Sequence, residues 1–438
     1  MGSNAVFVVN ASGTAPLSYQ WRFAGSNLTG ATTSLLNLTN VQPTDAGNYS
    51  VVITNVVGPV TSAVATLTVL VPPSFTSQPV DQTNVIGTAA SFSGLAAGTV
   101  PIGYRWQFNG LNLTNGGRIS GATSTNLLIT NAQPSDVGNY TLVASNVAAV
   151  ATSTVATLTV LLPPSIVAQP TNQTVVMGSN AVFIVNASGT APLSYQWRFA
   201  GTNLADATAS VLNLANVQPT DAGSYSVVIT NVVSAVTSTV ATLTVLVPPS
   251  FTSQPVDQTN VIGTAASFSG LAAGTVPIGY RWQFNGLNLT NGGRISGATS
   301  TNLLITNAQP SDVGNYTLAA SNVAAVATSA IARLTVLLPP SVVAQPTNQA
   351  VVMGSNAVFV VNASGTAPLS YQWWFGGTNL ANASGSVLNL TNVQPADGGG
   401  YSVVITNIVS AVTSAVAVLT VRVPPMITVQ PVNRTNVL

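Results

Sequence analysis

The motif Asp45-Ala46-Gly47-Asn48-Tyr49 begins 24 residues after Trp21, and the same combination returns along the whole chain. Its later copies are Trp106 with 136–140, Trp197 with 221–225, Trp282 with 312–316 and Trp373 with 397–401. A tryptophan followed at a recurring offset by an Asp-x-Gly-x-Tyr motif indicates a repeat protein. The sequence therefore contains five copies of one unit.

The spacing between these tryptophans alternates, being 85, 91, 85 and 91 residues. Two kinds of repeat therefore alternate. Type A (first, third and fifth) has a short middle such as 29–34, whereas type B (second and fourth) carries six more residues around 116–121. The superperiod is 176 residues, and 64–142 is identical to 240–318 over 79 positions. Such fidelity indicates recent duplication, or one surface that is needed many times.

Short runs rich in Val, Thr and Tyr, with a period of two and with Gly, Pro and Asn between them, predict β-strands. No stretch combines a helical period with caps. We therefore predict an all-β fold, a tandem array of β-sandwiches. In the first repeat the predicted strands are 5–10, 17–23, 34–38, 47–55 and 62–71.

Pro-Pro pairs mark the predicted domain boundaries, each directly after a strand and without a Gly/Ser spacer. Such junctions are expected to be short and semi-rigid, which favours an extended rod. The predicted domains are 1–71 (type A, first strand missing), 72–162 (type B), 163–247 (type A), 248–338 (type B), 339–423 (type A) and 424–438, the first strand region of a further domain.

Met1 corresponds to Met177 and Met353, which lie inside later repeats. We therefore expect the sequence to be a window on a longer array. The alternative is that the tail of one subunit completes the head of the next by strand addition.

The composition restricts the possible partners. Only 4% of the 438 residues are charged, the net charge is +1, and Lys, Glu, His and Cys are absent. Without clustered basic residues we expect neither nucleic acid nor an anionic membrane surface as a partner. No apolar run is long enough for insertion into a membrane. With no cysteine, the chain has neither disulfides nor thiolate metal sites.

The repeats resemble tandem immunoglobulin-like domains of the I-set kind, as found in large bacterial surface proteins. The resemblance covers all five repeats and rests on Gly2, on 18–21 (Ser-Tyr-Gln-Trp), on 36–41 (Leu-Asn-Leu-Thr-Asn-Val) and on 45–49. It implies that Trp21 packs at the centre of each sandwich, that Tyr49 forms a tyrosine corner and that Asp45 braces the same turn.

The sequence departs from that family at its disulfide. Alignment from Trp21 and Tyr49 places Val9 and Val51 at the two cysteine positions of type A, and Gly94 and Leu142 at those of type B. The first pair joins two medium residues and the second a small with a large one, so we expect the total volume to be roughly conserved. Apolar packing would then replace the roughly 2 to 4 kcal/mol that a disulfide contributes.

A few side chains remain as candidates for special roles. The resemblance implies an architectural salt bridge between Arg118 and Asp136, and between Arg294 and Asp312. Arg22 and Arg198 are expected to be solvated. Their counterpart Trp374 is expected to pack or to lie at an interface, with sugar stacking as the alternative.

No reaction chemistry is expected. Ser and Thr have no His, Lys, Glu or Cys to activate them. The three aspartates outside the corner motif (Asp81, Asp206 and Asp257) form no D-x-D calcium cluster. We therefore predict no enzyme, no catalytic residues, no cofactor-binding residues and no metal site. Sequons at Asn10, Asn27, Asn48, Asn139 and Asn186 leave glycosylation open.

The low charge suggests a function outside the cell. Sheet edges are usually protected by charges, yet the expected edge strand at 241–245 has none. Low net charge also promotes association. We expect an extracellular or cell-surface structural rod that associates laterally or end to end into a filament, sheath or stalk. The alternative is an adhesin stalk or a carbohydrate-binding repeat array.

Overall fold

The computed structural model describes residues 2–435, so Met1 and 436–438 lie outside the described part. The described chain forms two compact units. The first contains the chain up to Asn172, Val182–Asn213 and Gly223–Thr242, and the second contains Gln173–Ala181, Leu214–Ala222 and the chain from Leu243 onward. Each of the first, second, fourth and fifth repeats lies within one unit.

Strands occupy every repeat, and each repeat also has one 3₁₀ turn just before the Asp-x-Gly-x-Tyr glycine. Strands β1 to β7 of the first repeat are Ala5–Val8, Ser18–Phe23, Ser26–Asn27, Leu35–Leu38, Gly47–Thr54, Pro59–Thr61 and Ala65–Leu67. Strands β8 to β18 of the second are Ser74–Ser77, Gln82–Val85, Ala90–Ser93, Leu95–Ala97, Gly103–Phe108, Leu111–Asn112, Ile119–Ser120, Asn126–Ile129, Gly138–Ser145, Val150–Thr152 and Ala156–Leu161. Strands β19 to β28 of the third are Ser165–Ala168, Gln173–Val176, Ala181–Ile184, Asn186–Ser188, Ser194–Phe199, Thr202–Asn203, Val211–Leu214, Gly223–Thr230, Ala235–Thr237 and Ala241–Leu246.

The last two repeats follow the same plan. Strands β29 to β39 are Ser250–Ser253, Gln258–Val261, Ala266–Ser269, Leu271–Ala273, Gly279–Phe284, Leu287–Asn288, Ile295–Ser296, Asn302–Ile305, Gly314–Ser321, Val326–Thr328 and Ala332–Leu337. Strands β40 to β49 are Ser341–Ala344, Gln349–Val352, Ala357–Val360, Asn362–Ser364, Ser370–Phe375, Thr378–Asn379, Val387–Leu390, Gly399–Thr406, Ala411–Thr413 and Ala417–Arg422. The 3₁₀ turns are Pro43–Asp45, Pro134–Asp136, Pro219–Asp221, Pro310–Asp312 and Pro395–Asp397.

Two facing sheets form the sandwich that the sequence predicts. In the second repeat one sheet has the order β13-β12-β16-β18-β9, with β17 paired to β16, and the opposite side has β10-β15-β14 and the pair β11-β8. Neighbouring strands are antiparallel except β18 and β9, which are parallel. The alternation of buried and accessible residues along β16 explains this arrangement, because successive strand side chains point to opposite faces.

An aromatic cluster fills the centre of each sandwich. Trp106 is fully buried. The ring centroids of Phe92 and Tyr140 lie 4.6 Å apart, and those of Phe108 and Tyr140 lie 5.1 Å apart. Ring separations in this range add to the burial energy of the rings themselves. The expected central position of the repeat tryptophan is confirmed.

Four of the strands predicted in the first repeat match the structure to within two residues at each end. The fifth, 62–71, was predicted too long, because only Ala65–Leu67 pairs as a strand there. The equivalent strand of the second repeat reaches Leu161, where it pairs with Gln82–Val85. An extended segment counts as a strand only where a neighbour supplies hydrogen bonds, and sequence patterns do not report the neighbour.

The predicted strand region at 424–438 is described up to Thr435 and contains no paired strand within 424–435. The physical reason is the same, since none of the described strands lies beside it.

Candidate functional surfaces

The Asp-x-Gly-x-Tyr motif forms a closed corner in the structure. In the second repeat the Tyr140 hydroxyl donates to the carbonyl oxygen of Asp136 at 2.9 Å. The Asp136 carboxylate accepts the Gln133 backbone N–H at 2.8 Å. The tyrosine corner and the bracing aspartate are confirmed in the first, fourth and fifth repeats as well.

The glycine of the motif has a role that the sequence analysis missed. A Cβ atom on Gly138 would lie 2.6 Å from a ring carbon of Phe108, a contact that only glycine avoids. The aromatic residue two positions after each repeat tryptophan packs against the motif glycine in this way in all five repeats. The recurring spacing of these two residues was the available signal.

The two salt bridges expected for type B are present. Arg118 binds Asp136 through two hydrogen bonds, one of them from Nη2 at 2.9 Å, and Arg294 binds Asp312 in the same way. Burial opposes ionisation of Asp136, but the hydrogen bonds from Arg118 and Gln133 outweigh it and hold the pKa of this carboxyl below its ordinary value. The pair therefore braces the corner and belongs to the architecture.

The residues at the missing disulfide positions complement each other. A Cβ atom on Gly94 would lie 2.8 Å from Cδ2 of Leu142, which is fully buried. Leu142 thus occupies the space that a side chain at Gly94 would need. In type A the same place holds Val51, fully buried, and the half-buried Val9.

The remaining aspartates act within the fold. Asp81 accepts the Thr157 backbone N–H at 2.7 Å, and Asp257 accepts that of Arg333 at the same distance. The Thr157 hydrogen bonds lower the pKa of Asp81. Asp206 has a left-handed φ of 56° in a turn. Between residues 2 and 435 no three His, Cys, Asp or Glu side chains come together as metal ligands would.

Trp374 differs from the arginines it replaces. Arg22 and Arg198 bind the neighbouring Asn27 and Asn203 through Nε. Trp374 is half-buried, and its indole nitrogen is inaccessible to solvent and has no acceptor within the described chain. The buried position of the indole nitrogen agrees with packing of this side chain against the domain.

The expected edge strand at 241–245 was placed wrongly. It belongs to β28, whose residues 243–246 pair in parallel with Gln173–Val176, and the corresponding strand β49 of the fifth repeat lies between β41 and β47, so this strand position is interior to the sheet. The edges of the fifth-repeat sheet are the two-residue strand Thr378–Asn379 and Gln349–Val352. Short edges limit pairing with foreign strands, which is how this fold manages without charges there.

Alkaline pH is expected to destabilise the tyrosine corners. Burial, followed by the charge of Asp397, raises the pKa of Tyr401 from 10.0 to about 12. Because the folded pKa lies above the unfolded one, the neutral phenol stabilises the fold fully below pH ~10, and this contribution is lost as pH rises toward ~12. Thermal unfolding followed by circular dichroism from pH 9 to about 11.5 should show this loss.

Tyr401→Phe is the matched variant, because it cannot ionise, and it should show a smaller decrease over the same range. Tyrosinate absorbance already complete near pH 10, with the fold intact, would contradict the prediction.

The sequon asparagines Asn10, Asn27, Asn48, Asn139 and Asn186 are all exposed, which shows only that they are accessible. Within residues 2–435 no helix is long and apolar enough to cross a membrane.

Comparison with known proteins identifies relatives of the repeats. A family model described as immunoglobulin domain matches 72–146, 163–231, 248–322 and 339–407. Human Roundabout homolog 3 is 29% identical over 388 residues, which covers 82% of this chain and 28% of that protein. Human Hemicentin-1 is 27% identical over 451 residues, covering 98% of this chain and 8% of that protein. The chain thus spans less than a third of the length of either relative.

A three-domain titin fragment, I67–I69, has the same fold. It superposes with a TM-score of 0.51 at 24% identity, covering 61% of this chain and 99% of the fragment. These relatives are animal proteins, so the expected likeness to bacterial surface proteins is not supported. Roundabout homolog 3 and Hemicentin-1 are extracellular or cell-surface proteins, and the same location holds for this chain. Because the family model matches more than half of its length, the chain belongs to the immunoglobulin domain family.

Proposed function

We propose that this chain is part of an extracellular adhesion protein whose repeats present uncharged surfaces for association with further copies of itself. Its relatives are multi-domain adhesion and guidance proteins of the cell surface, which supports the adhesive role. The rod shape, the domain boundaries and assembly into a filament remain part of this proposal. An enzymatic role is not proposed, since the sequence lacks the side chains that would activate a nucleophile.

The observation that carries the proposal is a set of exposed apolar side chains repeated at the superperiod. Leu111 is 76% exposed on a two-residue edge strand, and Leu287 is 75% exposed at the same place in the fourth repeat. A single exposed leucine contributes little, but its repetition in both type B repeats allows the small contributions of two contacts to add up in a multivalent interaction. Type A repeats have Ser26, Thr202 and Thr378 at this position, so the feature belongs to type B alone.

A carbohydrate-binding array has weaker support. Trp374 was the one aromatic candidate for sugar stacking, and its half-buried position with an inaccessible indole nitrogen favours packing. Possible glycans on this chain also stay a prediction. Lateral self-association by strand pairing is disfavoured at the interior strand β18, because it already has β16 and β9 as neighbours on its two sides. The short edge strands of type B, which carry Leu111 and Leu287, are the better candidates for the self-association surface.

We expect the double variant Leu111→Ser and Leu287→Ser to associate less than the native sequence. Burying one leucine contributes about 1.5 to 3 kcal/mol, so each substitution should weaken a contact roughly tenfold or more. Sedimentation equilibrium over a concentration series should show the average mass falling toward the 44.3 kDa of one chain.

The matched control is Thr202→Ala with Thr378→Ala, at the same edge position in type A, and it should leave the mass unchanged. A native chain that stays monomeric at the highest concentration, or variants that associate as strongly as the native chain, would refute self-association through this edge.

A further inference from the structure

The residue before each of the first four Pro-Pro pairs is held by the repeat that follows it. At the second junction the Leu162 N–H donates to Oγ1 of Thr190 at 2.7 Å, and the Thr190 N–H donates to the Leu162 carbonyl oxygen at 3.1 Å. Both backbone hydrogen-bonding groups of Leu162 are therefore bonded to one residue of the next repeat. These contacts join two repeats within the first compact unit.

An asparagine completes the site. Nδ2 of Asn231 donates to the carbonyl oxygens of Leu162 at 2.7 Å and Thr190 at 3.0 Å. Its Oδ1 accepts the backbone N–H groups of Val233 and Ser234. Both ends of the side-chain amide are thus bonded, which fixes its orientation against the linker.

The same threonine and asparagine recur at the other three junctions that have a described repeat on both sides. The remaining sets of linker residue, threonine and asparagine are Val71 with Thr99 and Asn146, Val247 with Thr275 and Asn322, and Leu338 with Thr366 and Asn407. Each set lies within a single compact unit. We call this threonine and asparagine the junction pair.

A glycine precedes the junction threonine and allows the linker to come close. A Cβ atom on Gly98 would lie 3.0 Å from the carbonyl oxygen of Pro72, and one on Gly189 would lie 2.9 Å from that of Pro163. The Pro-Pro backbone therefore lies directly over these glycines. A side chain there would displace it.

The contacts recognise the backbone rather than a particular side chain, since valine and leucine both serve as the linker residue. A residue before proline is already restricted to an extended conformation, so binding it loses little conformational entropy. The same asparagine-to-threonine contact recurs in the first repeat, where Asn55 donates to the Thr14 carbonyl oxygen at 3.1 Å.

We propose that each junction pair, with its glycine, is a binding site for the backbone of an extended apolar-Pro-Pro segment, and that its occupation by the preceding repeat makes the junction a fixed joint. This goes beyond adhesion, because it states how orientation is transmitted from one repeat to the next. The ligand class is any apolar residue followed by two prolines.

The absence of native cysteines allows a direct test on the full chain. Ser135→Cys and Thr208→Cys introduce exposed labelling sites in the second and third repeats. Distance distributions between two spin labels then report the flexibility of this junction. Thr190→Val with Asn231→Ala should broaden the distribution about twofold or more, because the linker loses its side-chain partners.

Hydrogen exchange gives a second readout at the same site. The Leu162 amide should exchange about tenfold faster in the double variant, whereas the protection of Gly223–Thr230 should be retained if the repeat stays folded. Peptides from 156–170 report this junction specifically, because that sequence differs from 332–346.

Thr190→Ser keeps the hydroxyl and should preserve both the narrow distribution and the slow exchange, which Thr190→Val alone should lose. The control Thr14→Val with Asn55→Ala changes the same pair in the first repeat and should leave this junction unchanged. An unbroadened distribution in the double variant, or equal broadening in Thr190→Ser and Thr190→Val, would overturn the proposal.

Discussion

Replacing Asp136 by alanine is expected to destabilise the second repeat by roughly 2 to 3 kcal/mol, somewhat below the range for fully buried ion pairs. Arg118 would lose its partner while about one third of its side chain remains exposed, so water recovers part of the loss. The Gln133 N–H would also lose its acceptor. Hydrogen exchange of 143–161 measures the effect, because these peptides differ in sequence from their counterparts at 319–337.

Asp397→Ala is the matched control in the fifth repeat. Asp397 accepts the Gln394 N–H at 2.7 Å, but the sequence has no arginine at the position that corresponds to Arg118. The expected loss is about 1 kcal/mol, the usual value for one hydrogen bond. Equal losses at Asp136 and Asp397 would show that the arginine adds nothing.

The Asp136 carboxyl also predicts how the stability of the second repeat changes in acid. Its folded pKa lies below the ordinary value, so its contribution is present above the unfolded pKa and is lost as pH falls through the folded pKa. The second repeat should therefore lose more stability in acid than the Asp136→Ala variant does.

Leu142→Ala is expected to have the largest effect, about 2 to 5 kcal/mol, because it opens a cavity in a fully buried site. Gly94→Val should cost about 1 to 3 kcal/mol by overpacking against the leucine. The combination Gly94→Val with Leu142→Val recreates the valine pair of type A. It should be less destabilised than the sum of its single changes.

Hydrogen exchange of peptides from 143–161 again measures the stability of the second repeat. The double-mutant cycle isolates the coupling free energy between positions 94 and 142. The native Val9 and Val51 pair provides the reference arrangement within the same chain. Additive losses would mean that the two positions do not share one volume, contrary to the close approach of Gly94 and Leu142.

Much of the architecture could be predicted from local pattern. The period of two and the Gly-Pro-Asn breaks predicted the sandwich, and the resemblance to I-set immunoglobulin-like domains implied the corner and the Arg118 to Asp136 pair. Each depends on residues at fixed positions within one repeat. The junction pair was missed, although Thr99 and Asn146 recur in every repeat. Its partner is the backbone of the preceding repeat, which leaves no pattern in side-chain types.

The position of a strand within its sheet was also beyond sequence reasoning. Residues 241–245 look the same as an edge or as an interior strand, and only the neighbouring strands decide between them, as β41 and β47 do for the corresponding strand β49. Sequence reasoning could not assign a role to Trp374 either, because an indole side chain suits packing and sugar binding equally. The burial of its indole nitrogen favours packing.

The sequence by itself determined that this protein is an array of disulfide-free sandwiches, because periodicity, turn residues and core volumes act over short distances along the chain. Only the tertiary structure decided which strands lie at the sheet edges and which glycines pack against aromatic rings. It also decided how the linker residue of one repeat is bound by the repeat that follows. These features depend on contacts between residues 24 to 76 positions apart, and close approach at that separation is set by the folded backbone.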